Sequence, residues 1–162
     1  MTNAEIITVK PLTTDAFAAY GDVLSFDGMP DKIINQGLCG RYHDKAGIQI
    51  KDGHAGISLF DAEPRSLPYR LELLERHPYG SQAFLPLTAH PFLVIVAPDE
   101  KGVPGIPEAF LTDPHMGVNY HANIWHGVLT PLAAPGRFAV IDRIGDGANL
   151  EEYWLPEPYL IT

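Results

Sequence analysis

Two stretches carry the residue types best suited to chemistry: Leu74-Glu-Arg-His-Pro-Tyr-Gly-Ser-Gln-Ala-Phe-Leu-Pro86 and Gly117-Val-Asn-Tyr-His-Ala-Asn-Ile-Trp-His126. The first holds Glu75, His77 and Gln82; the second holds His121 and His126. Imidazole suits proton transfer near neutral pH, because its unperturbed pKa is about 6.5. It is also a common metal ligand. A carboxylate beside an imidazole orients it or raises its basicity. Glu75, His77 and His126 therefore read as a catalytic acid–base group.

The surrounding sequence predicts strands. Short runs of β-branched, aromatic and aliphatic residues recur between turn residues, and Gly and Pro number 15 each. Strands are expected at residues 6–9, 22–26, 38–43, 56–62, 69–77, 82–87, 92–97, 108–112, 118–120, 127–131 and 137–142. Phe92-Leu-Val-Ile-Val-Ala97 is continuously apolar and should be buried on both faces. Helical signal is sparse. Thr13-Thr14-Asp15 predicts the cap of a short helix through Phe17 to Tyr20, closed by Gly21. A second short helix is expected at residues 149–154, before the prolines at 156 and 158. The fold class expected is all-β, an antiparallel sandwich or barrel in a single domain spanning residues 1–162. Alternation along residues 69–77 puts Leu71, Leu73, Glu75 and His77 on one face, so a buried Leu71 and Leu73 would bring Glu75 and His77 into the same interior.

Composition narrows the function classes. Hydrophobic residues make up 46% and charged residues 19%, enough apolar material to build a core. The formal net charge of −9 argues against nucleic acid and against an anionic membrane as partners. The N-terminus does not read as a signal peptide, and the longest apolar stretch is too short to span a bilayer. One cysteine, Cys39, excludes an internal disulfide, reads as a small packed residue, and makes the cytoplasm the default location.

The order of the two segments resembles the paired signature of the cupin superfamily, His-x-His with a later Glu, followed by Pro-x-Gly-x-x-His. Glu75-x-His77, Gln82 and His121-x-Asn123-x-x-His126 stand in those places. The resemblance implies a cupin-like antiparallel β-barrel (double-stranded β-helix) with its site inside. A metal, if present, would be held by Glu75, His77, Gln82 and His126. The wording goes further. Arg41-Tyr-His-Asp44, Glu75-Arg-His-Pro-x-Gly-Ser-Gln-Ala-Phe84, Gly117-Val-Asn-Tyr-His-x-Asn-x-Trp-His126, Phe17-Ala-x-Tyr-Gly-Asp-Val23 and Ile141-Asp-Arg143 resemble the ureidoglycolate lyases. The likeness covers about residues 9–143. It implies a homodimeric carbon–nitrogen lyase that releases urea and glyoxylate from (S)-ureidoglycolate in allantoin nitrogen recovery. It also implies a possible divalent metal, nickel among the candidates.

That chemistry needs a base for the hydroxyl proton, an acid for the departing urea nitrogen, and a seat for the carboxylate. His77 and His126 are expected to divide the proton transfers in either order, with Glu75 beside them. Gln82, Arg41, His43, Tyr120, His121, Trp125 and Arg143 are the expected substrate-binding residues. Arg41 is a candidate bidentate carboxylate seat, with a surface pair to Asp44 as its alternative; Arg76 and Arg143 are rivals. Tyr120 and Trp125 suit a pocket wall. A turn at Asn123 decides whether His121 shares a face with His126. His54, His90 and His115 read as loop residues. Two other functions fit the same residues: a metal-dependent cupin isomerase or oxygenase, and a non-catalytic module that binds a small carboxylate.

Overall fold

The computed structural model of the chain describes residues 4–162. In chain order the elements are β1 (Glu5–Ile7), β2 (Lys10–Pro11), α1 (Thr14–Phe17), β3 (Gly21–Leu24), β4 (Lys32–Ile34), a 3₁₀ turn (Asn35–Gly37), β5 (Cys39–Arg41), β6 (His54–Ala62) and β7 (Tyr69–Arg76). They continue with β8 (Gln82–Pro86), β9 (Phe92–Ala97), β10 (Asp99–Glu100), β11 (Val103–Pro104), β12 (Glu108–Leu111) and β13 (Gly117–Tyr120). The last four are β14 (Trp125–His126), β15 (Thr130–Pro131), β16 (Gly136–Ile144) and β17 (Glu151–Ile161).

Two sheets dominate. The first runs β1-β17-β7-β14-β9-β12-β2, with β15 also on β9; the second runs β3-β13-β8-β16-β6. Only Thr8 and Val9 separate β1 from β2, yet these strands pair at opposite margins of the first sheet, β1 with β17 and β2 with β12. The first sheet therefore curls until one segment of chain joins its two margins. Backbone bonds from Val9 N to Thr162 O and from Thr162 N to Ile7 O complete the seam. The result is the mainly β fold that the strand pattern predicts, curled in the cupin-like way that the resemblance implies.

Two apolar cores follow. One lies between the sheets, where Phe84, Val118, Phe138 and Val140 meet Phe92, Val94, Val96 and Phe110. The other holds Leu71, Leu74, Leu93, Ile95, Ala97, Ala109, Trp125 and Ile161. These residues come from strands all round the first sheet and none comes from the second, so the curl itself encloses them. Strand β9 serves both cores, and all six of its residues are buried. Each large side chain buried there contributes about 1.5–3 kcal/mol, which makes β9 the least mutable strand.

Several local expectations change. Helix α1 begins at the expected place, with the Thr13 hydroxyl accepting from Ala16 N, but it ends at Phe17. Gly21 opens β3 instead of closing the helix. A Cβ there would stand 2.0 Å from the Asn119 carbonyl, so the glycine permits close strand approach. Residues 149–154 form no helix. Residues from Glu151 onward pair with β7, Glu151 opposite Arg76 and Trp154 opposite Leu73. Pro156 and Pro158 fall in the register shift between Trp154 and Tyr159, where a ladder can tolerate them. Of the strand expected at residues 127–131 only Thr130–Pro131 forms, as β15, with β14 lying just before the expected span, and His54 opens β6 instead of lying in a loop. Along β7, Leu71 and Leu74 enter the same core. Alternation slips opposite the irregularity in β17, so Glu75 does not share the face of Leu71. Among the described residues no helix is long and apolar enough to cross a membrane.

Candidate active site

Glu75 on β7 and His126 on β14 are direct register partners, and His126 is also opposite Val96 of β9. Partners in register point to the same face, here the core between the sheets. His126 is 2% exposed. Its Nδ1 donates to the Ile124 carbonyl at 3.0 Å, and its ring stacks on Tyr120 with centroids 4.3 Å apart and planes 10° apart. Its Nε2 lies 3.6 Å from Glu75 Oε1. His77, just past β7, donates from Nδ1 to the Asn149 carbonyl at 2.8 Å. Its own carbonyl accepts from Asn123 N at 2.9 Å, in the turn between β13 and β14. Asn123 takes the positive φ of 66° that this tight turn requires, a conformation asparagine tolerates. The rings of His77 and His126 are 5.2 Å apart.

A carbonyl can only accept, so both imidazoles carry their proton on Nδ1 when neutral and present a lone pair at Nε2. Both Nε2 atoms are buried without a hydrogen-bond partner, and so is Gln82 Oε1. Gln82, on β8, is the register partner of Tyr120, which places it on the same face of the second sheet as the ring that stacks on His126. Buried polar atoms are nearly always paired, so three orphaned acceptors facing the space between the sheets mark a place built for a ligand. The ligating atoms of Glu75, His77 and His126 also lie within 4.8 Å of one another. Two imidazoles, each oriented by a carbonyl, and one carboxylate fit a divalent first-row cation.

Burial sets the electrostatics. It drives His126 down to about 3, helped by His77 and opposed by the Ile124 carbonyl bond. His126 is therefore uncharged at neutral pH. Burial raises Glu75, against the lowering influence of His77 and with help from Glu152. Burial, with the nearby Glu75 charge, holds the Tyr120 phenol far above its ordinary range, so it remains a proton donor. Glu75 and His77 are half-buried while Gln82 and His126 are buried, so the group opens on the Glu75–His77 side.

The structure thus brings together Glu75, His77, Gln82, Tyr120 and His126 and places the other expected residues elsewhere. His121 turns to the opposite face of the second sheet, with Nε2 3.1 Å from Asp22 Oδ2. His43 lines the same depression of about 340 Å³ there. Arg41 ends the exposed β4–β5 hairpin. Trp125 enters the core enclosed by the first sheet and donates to Asp99 at 2.9 Å. Arg143 donates to the carbonyls of Lys51, Asp52 and Asp146. Arg76 lies over Trp125 and pairs with Asp99 and Glu151.

Two residues of the site escaped sequence reasoning. Asn149 orients His77, but its position reads as a helix start and gave no signal. Asp142 accepts from Gln82 Nε2 at 3.1 Å. It lies within Ile141-Asp-Arg143, where the pattern was visible but the role was not.

A cupin-like β fold with two histidines and a glutamate converging between its sheets defines the class: a small β enzyme with an internal polar site. Comparison with known proteins makes this specific. The ureidoglycolate lyase family matches residues 4–162, and the chain belongs to that family. A ureidoglycolate lyase of Rhodobacter capsulatus is 59% identical over 97% of this chain and 98% of its own length. One from Chelativorans sp. is 50% identical over 96% and 95%, and ureidoglycolate lyase 2 of Rhizobium meliloti is 49% identical over 96% of both chains.

Proposed function

We propose that this chain is a carbon–nitrogen lyase that eliminates urea from (S)-ureidoglycolate to leave glyoxylate, in allantoin-derived nitrogen recovery. The observation that carries the reading is the convergence of the unpartnered Nε2 atoms of His77 and His126 beside Glu75, in a chain similar over nearly its whole length to ureidoglycolate lyases. The substrate hydroxyl loses its proton as the carbonyl of glyoxylate forms. The bond from that carbon to nitrogen breaks, and the nitrogen takes a proton and leaves as urea. His77 and His126 divide the two transfers: an unprotonated Nε2 takes the hydroxyl proton, and that same proton passes to the departing nitrogen. Glu75 holds the pair in register, Gln82 Oε1 accepts from ureido N–H groups, and Tyr120 walls the site and can donate. Water is not a reactant, which suits a site set in the apolar core between the sheets.

A second reading rests on the donor geometry. Glu75, His77 and His126, with Gln82 at the margin, would hold a divalent cation such as nickel. Such an ion would supply Lewis-acid polarisation of the substrate oxygens. The imidazoles would then serve as ligands, and the Tyr120 phenol would be the protonated group beside them. Arg41, His43, His121, Trp125 and Arg143 enter the proposal only as outer contributors, since none faces the constellation. We also propose a cytoplasmic homodimer of single-domain chains, supported by the single cysteine and by the exposed apolar residues of β6.

The deciding experiment is a coupled assay for glyoxylate from racemic ureidoglycolate, with and without chelator, on wild type and on His77→Ala and His126→Ala. Turnover that falls at least a hundredfold in both variants supports the assignment. No glyoxylate from wild type under either condition, or full turnover in both variants, would overturn it. Loss on chelation and recovery with added metal selects the second reading.

A further inference from the structure

We infer that Asp142 is a positioning residue that fixes which end of the Gln82 amide faces the site, and so makes the site select ligands that offer N–H donors. Gln82 has two chemically opposite ends, a carbonyl that accepts and an NH₂ that donates. What lies behind the side chain decides which end points forward. Val140 is paired with Phe84 and Ile141 with Ala83, so the register carries Asp142 opposite Gln82, while Tyr120 is opposite Gln82 on the other side. Tyr120, Gln82 and Asp142 thus form a row across three strands on the inner face of the second sheet. Asp142 Oδ2 receives Gln82 Nε2 at 3.1 Å. A carboxylate has no hydrogen to offer, so the reverse orientation would set two acceptors against each other. The NH₂ is held back, and the carbonyl is left buried, without a partner, in a residue only 6% exposed.

An acceptor held at that place matches the N–H groups of a ureido or carbamoyl compound. It rejects a ligand that presents a carbonyl or carboxylate oxygen at the same position. Asp142 touches no reacting atom in this scheme; it acts through Gln82. The inference rests on the proposed lyase reading for its substrate, but the amide orientation stands apart from it.

Full-length wild type, D142L, D142N, Q82A and the double variant Q82A/D142L decide the matter. Leu removes the acceptor and keeps similar bulk; Asn keeps a carbonyl to which Gln82 can still donate. D142L is expected to raise KM for ureidoglycolate about tenfold, the loss of one directed hydrogen bond, with a smaller change in kcat. D142N is expected to recover most of that loss. In the Q82A background D142L should have no further effect, because the residue works through Gln82. An equal KM penalty in both backgrounds would overturn the inference. The side-chain amide protons of Gln82, assigned by their absence in Q82A, give a readout independent of turnover. They should be protected from exchange in wild type and lose that protection in D142L. Unchanged protection in D142L would overturn the proposed orientation even if wild type proved inactive on ureidoglycolate, whereas such inactivity with lost protection would sink only the lyase reading.

Discussion

Asn149 offers the sharpest test of how the site is held. Its carbonyl receives His77 Nδ1 at 2.8 Å, and its side-chain Oδ1 receives Tyr79 N at 2.7 Å. One residue therefore clamps both sides of Pro78. Replacing Asn149 with Ala leaves the carbonyl in the chain but removes the side-chain clamp that places it. The stability cost is that of one part-buried neutral hydrogen bond, about 1 kcal/mol. For a chain of this size that lowers Tm by about 2–4 °C. A domain stable by about 5–15 kcal/mol stays folded at 25 °C after such a loss, so unfolding cannot reduce activity appreciably. Loosening the partner that orients a functional imidazole typically costs about 10–100-fold. The expectation for Asn149→Ala is therefore a small Tm shift with a drop in kcat of that order. Asn149→Asp keeps the acceptor and should restore kcat. Steady-state kinetics at 25 °C and thermal melting measure both quantities. Turnover of Asn149→Ala within twofold of wild type would show that the clamp does not orient His77.

Three other outcomes are expected. Metal content after equilibrium dialysis against Ni²⁺ should approach one per chain in wild type and fall at least tenfold in Glu75→Ala, with uptake by the variant equal to wild type refuting the ligand set. Ile57 is 74% exposed and Leu59 77% exposed, on the outer face of edge strand β6 where Ile57 is opposite Ile141; light scattering should show a dimer that Leu59→Asp converts to monomer, and a dimer that persists would place the interface elsewhere. Burial pushes Asp22 up, but the Asn119 amide, the Gly47 N–H and His121 together outweigh it and hold the carboxyl below its usual 3.8. That stability is full above the unfolded value and is lost as pH falls through the lower folded value. Asp22→Asn should therefore flatten the acid limb of a urea-midpoint profile, and an unchanged limb would count against the bonds.

Much of this could be read from residue order. The apolar run of β9 announced a strand buried on both faces, and Glu75, His77 and His126 could be grouped before any coordinates. The failures are physical. Asn149-Leu-Glu-Glu-Tyr-Trp154 has helix-like composition, but β7 needs a partner, and the Arg76–Glu151 ion pair at 2.6 Å helps to hold the segment extended. Trp125 and His126 are neighbours in a two-residue strand, so one faces each core; a pattern of aromatics beside histidines cannot say which. The slip between Leu71 and Leu74 depends on an irregularity in β17, far along the chain, and no local period can report it. Arg143 matched a motif, but its role is to gather three carbonyls from two loops.

The seam at Thr8 and Val9 also bears on synthesis. As the chain emerges from the ribosome, β2 can find β12 while β1 still waits for β17, because Ile6 pairs with Leu160. Until then one margin of the curl is open, and the apolar residues it will enclose depend on other protection. The carbonyl of Asn149 that aims His77 arrives on the same late stretch. A nascent chain thus holds both histidines well before the carbonyl that orients His77 is in place. Closing the fold and arming the site are a single late event, so a truncation within β17 should abolish activity and folding together.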